Sequence, residues 1–380
     1  MRASLFALII ACSAATEPAN PNPPTEPSPT TGSPDSAVLE DLALAVTVVG
    51  TDALNPHGDG SGVVQLVATA TGAVRFTFDL GDGTTVESDS GEVEHTYVAT
   101  GTNAFDVTVG AFTDDGSSAS LTSTIEVYAS SAEFQRLVWA DEFDTDGALD
   151  GDKWHHQIIP PLDGGWFNNE LQHYTERLDN SYVSDGTLKI VALRENYSVD
   201  GSLREFTSAR LNSTFAFTYG RVEVRAKLPA EGGTWPAIWT LGANIDEVGN
   251  YHGTTYGSVG WPACGEIDIL EQKGWDKQNT IAHFHWGNTQ TTAYENQGGE
   301  VANPDATSAF HVYSLDWNAQ RMRVEVDGQL VHELANSVDR PYDNAHYLLL
   351  NIAMGGNLGG IVPGDVSQAT MEVDYVRVYQ

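Results

Sequence analysis

Between Gly265 and Gln272 the chain reads GEIDILEQ, with carboxylates at Glu266, Asp268 and Glu271 set among isoleucines and a leucine. In an extended strand residues two apart share a face, so Glu266 and Asp268 point one way and Ile267 and Ile269 the other. Strict alternation would next place Leu270 beside the acids and turn Glu271 into the apolar layer, where an unpaired carboxylate is costly. One extra residue at Ile269–Leu270, a β-bulge, returns Glu271 to the acidic face. Two carboxylates on one face can cleave a glycosidic bond: one attacks as nucleophile, the other donates a proton, and retention asks for a separation of about 5 Å. Close approach also drives their pKa values apart, and Asp268 between them can hydrogen-bond the nucleophile. Along a flat strand the two ends of the motif lie more than ~10 Å apart, so the strand must curve, as it does in a concave sheet. Two other uses of such a row are a solvated sheet face and a divalent-metal site.

Around this motif stand residues suited to bind a sugar, whose ring faces stack on indoles. Trp235 and Trp239 lie four apart in TWPAIW, where Pro236 is expected to break the ladder, so that the two need not share a face and one could belong to the core. In IAHFHWGN, His283 and His285 share a face; a zinc site would want a third nearby ligand, and none is obvious in the sequence, while His283 reads as structural. Cys264 reads as a small unpaired apolar residue. These residues must be placed by strands. From Phe134 to Gln380 the chain runs through GTLKIVAL, TYGRVEVRAKLP, FHVYSLDWN, RMRVEVDGQLVHE and HYLLLNIAM with little helical periodicity, which predicts a large double-sheet jelly roll over 131–380. Shorter runs such as VVQLVATA and VRFTFDL, separated by turn clusters, predict a smaller immunoglobulin-like sandwich over 38–130. The fold class is therefore all-β in both units.

The motifs carry two family resemblances. FDLGDGT, HTYVATG and FDVTVGA resemble a PKD domain; Asp79 and Asp82 there suit a tight turn, with metal ligation the alternative. LVWADEFD, NNELQHYT, GTWPAIWTLG, GEIDILE and LLLNIAMGGNLGG resemble glycoside hydrolase family 16, and the bulged Glu-x-Asp-x-x-Glu form resembles its laminarinases, which are endo-acting β-1,3-glucanases. That resemblance implies Glu266 as nucleophile, Glu271 as general acid/base and Asp268 as the assisting acid. It places Trp235 and Trp239 along a glucan groove, Asn169 and Arg210 on sugar hydroxyls, and His285 with Trp286 near the leaving sugar. An ion pair is the alternative for Arg210, and a plain turn for Asn357. It also implies a structural Ca²⁺ held by Glu142, the Gly186 carbonyl and Asp374, and no catalytic cofactor. Agarases, carrageenases and mixed-linkage glucanases are the alternatives within the family; a non-catalytic β-glucan-binding lipoprotein is the alternative outside it.

Composition narrows the partners. In 380 residues, 52 acidic side chains against 18 basic ones give a net charge of −34, which repels phosphate backbones and argues against nucleic acid. A neutral polysaccharide meets no such repulsion. MRASLFALIIAC has an Arg followed by an apolar run, a secretion leader in outline over 1–12, and Ile9–Cys12 resembles a lipobox that would lipidate Cys12. The Pro-, Thr- and Ser-rich segment 13–37 has no apolar face and reads as an extended tether. The expectation is an exported, surface-attached or secreted monomer.

Overall fold

The computed structural model describes residues 39–380 apart from 100, 131, 132 and 163. The leader with Cys12 and the segment 13–37 lie outside the described residues. The chain divides into two compact units, one ending at Arg136 and the other spanning Leu137–Gln380.

In the first unit Glu40–Val48, Val63–Thr71 and Glu92–Thr96 form one sheet. Thr85–Ser88, Arg75–Asp79, Gly101–Phe112 and Ser118–Ala129 form the other. Alternate residues such as Val64, Leu66, Phe76, Phe78, Val107 and Val109 fill its core, as period-two patterning requires. Asp79 and Asp82 close turns, accepting from the Gly81 and Thr84 amides at 3.1 and 2.9 Å, and Asp82 also meets His95 at 2.7 Å. The turn reading therefore holds for both.

The second unit contains, among the described residues, a ten-stranded and a seven-stranded sheet. We label the strands of the seven-stranded sheet β1 (Trp154–His156), β2 (Arg210–Phe217), β3 (Thr234–Gly242), β4 (Glu266–Glu271), β5 (Asn279–Gly287), β6 (Tyr294–Ala302) and β7 (His346–Met354). Their order across the sheet is β6-β5-β4-β3-β7-β2-β1. Ile238, Ile267, Ile269, Leu270, Phe284, Trp286, Leu348, Leu350 and Ile352 pack from this sheet into one core with Leu188, Ile190, Val222, Val224 and Leu315 of the other. The opposite face carries the polar and aromatic residues, together with a small apolar cluster that includes Leu241, Tyr347, Leu349 and the fully buried Cys264.

Register confirms the bulge. Asp268 stands opposite Trp239 on β3 and His283 on β5, and Glu271 opposite Ala237 and Ile281. Each neighbour advances two residues while β4 advances three, with Ile269 and Leu270 both fully buried. One surplus residue is thus absorbed on the core side and both glutamates stay on the other face. Pairing of β3 with β7, by contrast, runs unbroken from Thr234–Met354 to Gly242–His346 through Pro236, so the expected break does not occur and Trp235, Ala237 and Trp239 share a face. Trp286 is corrected too: it is 1% exposed in the core beneath the sheet, because alternation that sends His285 outward sends its neighbour inward.

Because the bulge turns Leu270 into the core, Leu270→Glu places an unpaired carboxylate in the apolar layer, whereas without the bulge that side chain would lie on the acidic face. Expected is a loss of about 3 kcal/mol or more, read as a sharply lower melting temperature by circular dichroism; an unchanged melting curve would contradict the role given to the bulge.

Candidate active site

Three cross-strand rows build the floor of the site. The first runs Arg210, Asn351, Ala237, Glu271, Ile281; the second Asn212, Leu349, Trp239, Asp268, His283; the third Tyr347, Leu241, Glu266, His285. Residues far apart in sequence become neighbours because each occupies the outward position of its strand.

An indole serves each glutamate. Trp235 Nε1 donates to Glu271 Oε1 at 2.9 Å, and Trp261 Nε1 to Glu266 Oε2 at 2.8 Å. Trp239 donates instead to Asn351 Oδ1 at 2.8 Å, whose amide donates to the Tyr174 hydroxyl at 3.1 Å, which in turn donates to Glu170 at 3.1 Å. This chain fixes the Trp239 ring by its polar edge and leaves its face to stack. Arg210 realises the ion-pair alternative: it meets Glu247 at 3.0 Å with both side chains buried, and its guanidinium lies over the rings of Trp239 and Trp166 at 4.9 and 5.4 Å. Its Nε is buried without a hydrogen-bond partner, so one donor remains to be used.

His285 Nε2 stands 3.3 Å from Asp268 Oδ2, and its Nδ1 lies 2.7 Å from the Tyr294 hydroxyl. His283 stacks on it at 4.4 Å and contacts Asn296 at 2.9 Å, a supporting position. Asn169 lies on the rim, donating to Asn357 at 3.3 Å, while Asn357 donates to Asn168 at 3.3 Å. Asn168 and Asn169 both have positive φ, 59° and 61°, a conformation asparagine tolerates better than most residues. Asn357 is therefore tied to the rim and does more than turn the chain.

The carboxyls are all shifted toward the protonated form. Burial, then the charge of Asp268, holds Glu266 well above the usual carboxylate range. Burial, then the charge of Glu271, does the same to Asp268. Burial raises Glu271 as well, opposed by the Trp235 N–H and by His285. Glu170 is also raised by burial, opposed by Gln172 and Arg210. A crowded acidic row of this kind keeps a proton near neutral pH, which is what a proton donor beside a nucleophile requires.

The residues expected to hold calcium are arranged otherwise. Glu142 accepts two hydrogen bonds from Arg377 at 2.8 and 2.7 Å, and Asp374 pairs with Arg225. Gly186 sits at positive φ in a tight turn. With both carboxylates committed to guanidinium groups, this arrangement does not fit the cation that the resemblance implied. Trp261, Glu170, Asn351, Glu247 and Tyr294 were not singled out from sequence. Trp261 had a usable signal, a tryptophan five residues before the first acid; the others reach the site only through pairing and loop packing.

A jelly roll whose outward sheet face carries two indole-bonded glutamates around a buried aspartate, flanked by aromatic and amide groups, defines a carbohydrate-cleaving class of site. The chain belongs to the glycosyl hydrolases family 16, whose model matches residues 177–377, and a PKD domain model matches 59–127. A Beta-glucanase of Rhodothermus marinus is 40% identical over 263 residues, covering 64% of this chain and 85% of that protein. A Glucan endo-1,3-beta-glucosidase of Cryptopygus antarcticus is 36% identical over 265 residues, covering 63% and 90%. A glutamate-to-serine variant of LamA from Z. galactanivorans, solved with laminaritriose and laminaritetraose, is 61% identical with a TM-score of 0.65, covering 65% of this chain and 100% of that one.

These shifts carry a stability consequence. A carboxyl whose folded pKa is raised binds more protons in the native state than in the unfolded one, so stability falls as pH rises from the ordinary carboxylate range through the raised value. Glu266→Gln removes that term while keeping the shape. Expected is a variant more stable than wild type at pH 8 by roughly 1 kcal/mol, about 2–4 °C, with the gain vanishing near pH 4. Melting curves across that range check it; a variant less stable at pH 8 would contradict the assigned direction.

Proposed function

We propose that the chain hydrolyses internal β-1,3 bonds of laminarin-type glucan with retention of anomeric configuration. The observation that carries this reading is the bulge, which leaves Glu266 and Glu271 on one face, each held by its own indole. Glu266 attacks the anomeric carbon as the glycosidic C–O bond breaks, and Glu271 gives its proton to the departing oxygen. Glu271, now ionised, takes a proton from water; the water oxygen bonds the anomeric carbon and Glu266 leaves as carboxylate. Asp268, hydrogen-bonded to Glu266, helps hold the nucleophile in place.

The remaining groups suit binding. Trp239 offers a fixed ring face, Arg210 a spare buried N–H, and Asn169 a rim amide. The laminaritriose and laminaritetraose bound by the relative from Z. galactanivorans support a β-1,3-linked substrate. The leader pattern supports export, with Cys12 as the lipid-bearing residue.

Reducing-end release from laminarin is expected from wild type, with Glu266→Ala and Glu271→Ala lower by about 10³-fold or more. Wild type that binds laminarin without releasing ends would favour a binding protein, and release from agarose or carrageenan instead would shift the substrate. Trp261→Phe keeps the ring and removes the N–H. Expected is about tenfold lower kcat and an acidic limb of the pH–rate profile moved to higher pH, since losing the donor raises the Glu266 pKa. An unmoved limb would deny Trp261 its role.

A further inference from the structure

The floor of the groove holds a second arrangement beside the glutamate pair. Glu266 and His285 stand directly opposite one another on β4 and β5, with Asp268 one pleat along. One ligand atom from each of the three lies within 4.8 Å of the other two, the one such group among the described residues. Asp268 is 3% exposed, and its Oδ2 has no hydrogen-bond partner although it faces His285 Nε2 at 3.3 Å. The Tyr294 hydroxyl, 2.7 Å away, can accept from Nδ1, and in that tautomer Nε2 presents a lone pair to the carboxylate oxygen. Two acceptors at that distance call for a proton or a cation beside them. Glu266 accepts from Trp261 at Oε2, and its carboxyl also hydrogen-bonds Asp268, inside the same group.

We propose that Glu266, Asp268 and His285 form an inhibitory site for a borderline divalent cation, zinc in the first place, which competes with glucan for the groove. One imidazole nitrogen with two carboxylate oxygens and an open fourth position is a zinc-type donor set. Calcium and magnesium favour oxygen donors alone and more of them. Tyr294 holds the outer nitrogen of the imidazole, as groups behind metal-bound histidines commonly do. The net charge of −34 raises the local concentration of cations. A bound ion masks the carboxylate of Glu266, so inhibition follows from the role proposed for that residue, whereas binding does not depend on it.

The test is calorimetric titration of zinc chloride into the metal-free full chain, with calcium chloride in parallel, for wild type, His285→Ala, His285→Gln and Tyr294→Phe. Expected is a zinc site in wild type that calcium does not fill, lost in both His285 variants and weakened by about tenfold in Tyr294→Phe. On laminarin, zinc should raise KM, leave kcat unchanged, and be reversed by EDTA. Equal zinc uptake by wild type and both His285 variants, or equal binding of calcium, would overturn the proposal. Having two substitutions at His285 guards against a variant that fails to fold. Zinc bound at this site by a wild type that cleaves no glucan would sink the hydrolase reading and leave the metal site standing. Full hydrolysis in zinc-saturated buffer would do the reverse.

Discussion

The structure turns on the crowding of three carboxyl groups along one strand of six residues. Each is driven from water, Asp268 and Glu271 raise the pKa of Glu266 and Glu271 raises that of Asp268, and the arrangement survives because the strand gains one residue on its buried side. Ile267, Ile269 and Leu270 anchor that strand in the core, so the apolar layer beneath holds the acids against their mutual repulsion. The indoles of Trp235 and Trp261 then give each glutamate one donor from outside the strand. Without the core the strand could not hold the bulge. Without the donors the glutamates would be free to turn toward solvent.

The same economy governs the flanks. Arg210 and Glu247 form a buried pair that would be a poor source of stability on its own, yet it sets a flat cation between Trp166 and Trp239 and keeps both rings in place. The chain Trp239–Asn351–Tyr174–Glu170 links β3 and β7 to the segment that follows the rim asparagines. Polar groups that cost stability singly thus define the shape of the groove as a network. Glu266 follows this pattern, since the ionised form its attack needs is the form that the fold disfavours.

Much of this was legible in the sequence, for identifiable reasons. The bulge could be read because the alternative sends a carboxylate into an apolar layer, a penalty large enough to exclude it. The sheet faces of His283 and His285 followed from period-two alternation, and the same rule applied one residue further would have placed Trp286 in the core. Pro236 was misjudged because a missing N–H does not prevent strand pairing from continuing past it. The partners of Arg210, Trp239 and Glu142 were out of reach: Glu247, Asn351 and Arg377 are 37, 112 and 235 residues away, and nothing local in the sequence marks such pairings.

The central claim, that one extra residue aims Glu266 at the anomeric carbon while Glu271 manages the proton, is tested most directly by trapping the covalent intermediate. A 2-deoxy-2-fluoro β-1,3-glucosyl donor with a good leaving group slows the second step more than the first, so the sugar should accumulate on the protein. Peptide mapping by mass spectrometry is expected to find the glycosyl mass on Glu266 alone. A label on Glu271, or turnover of the donor to the inverted anomer with no adduct, would contradict the account.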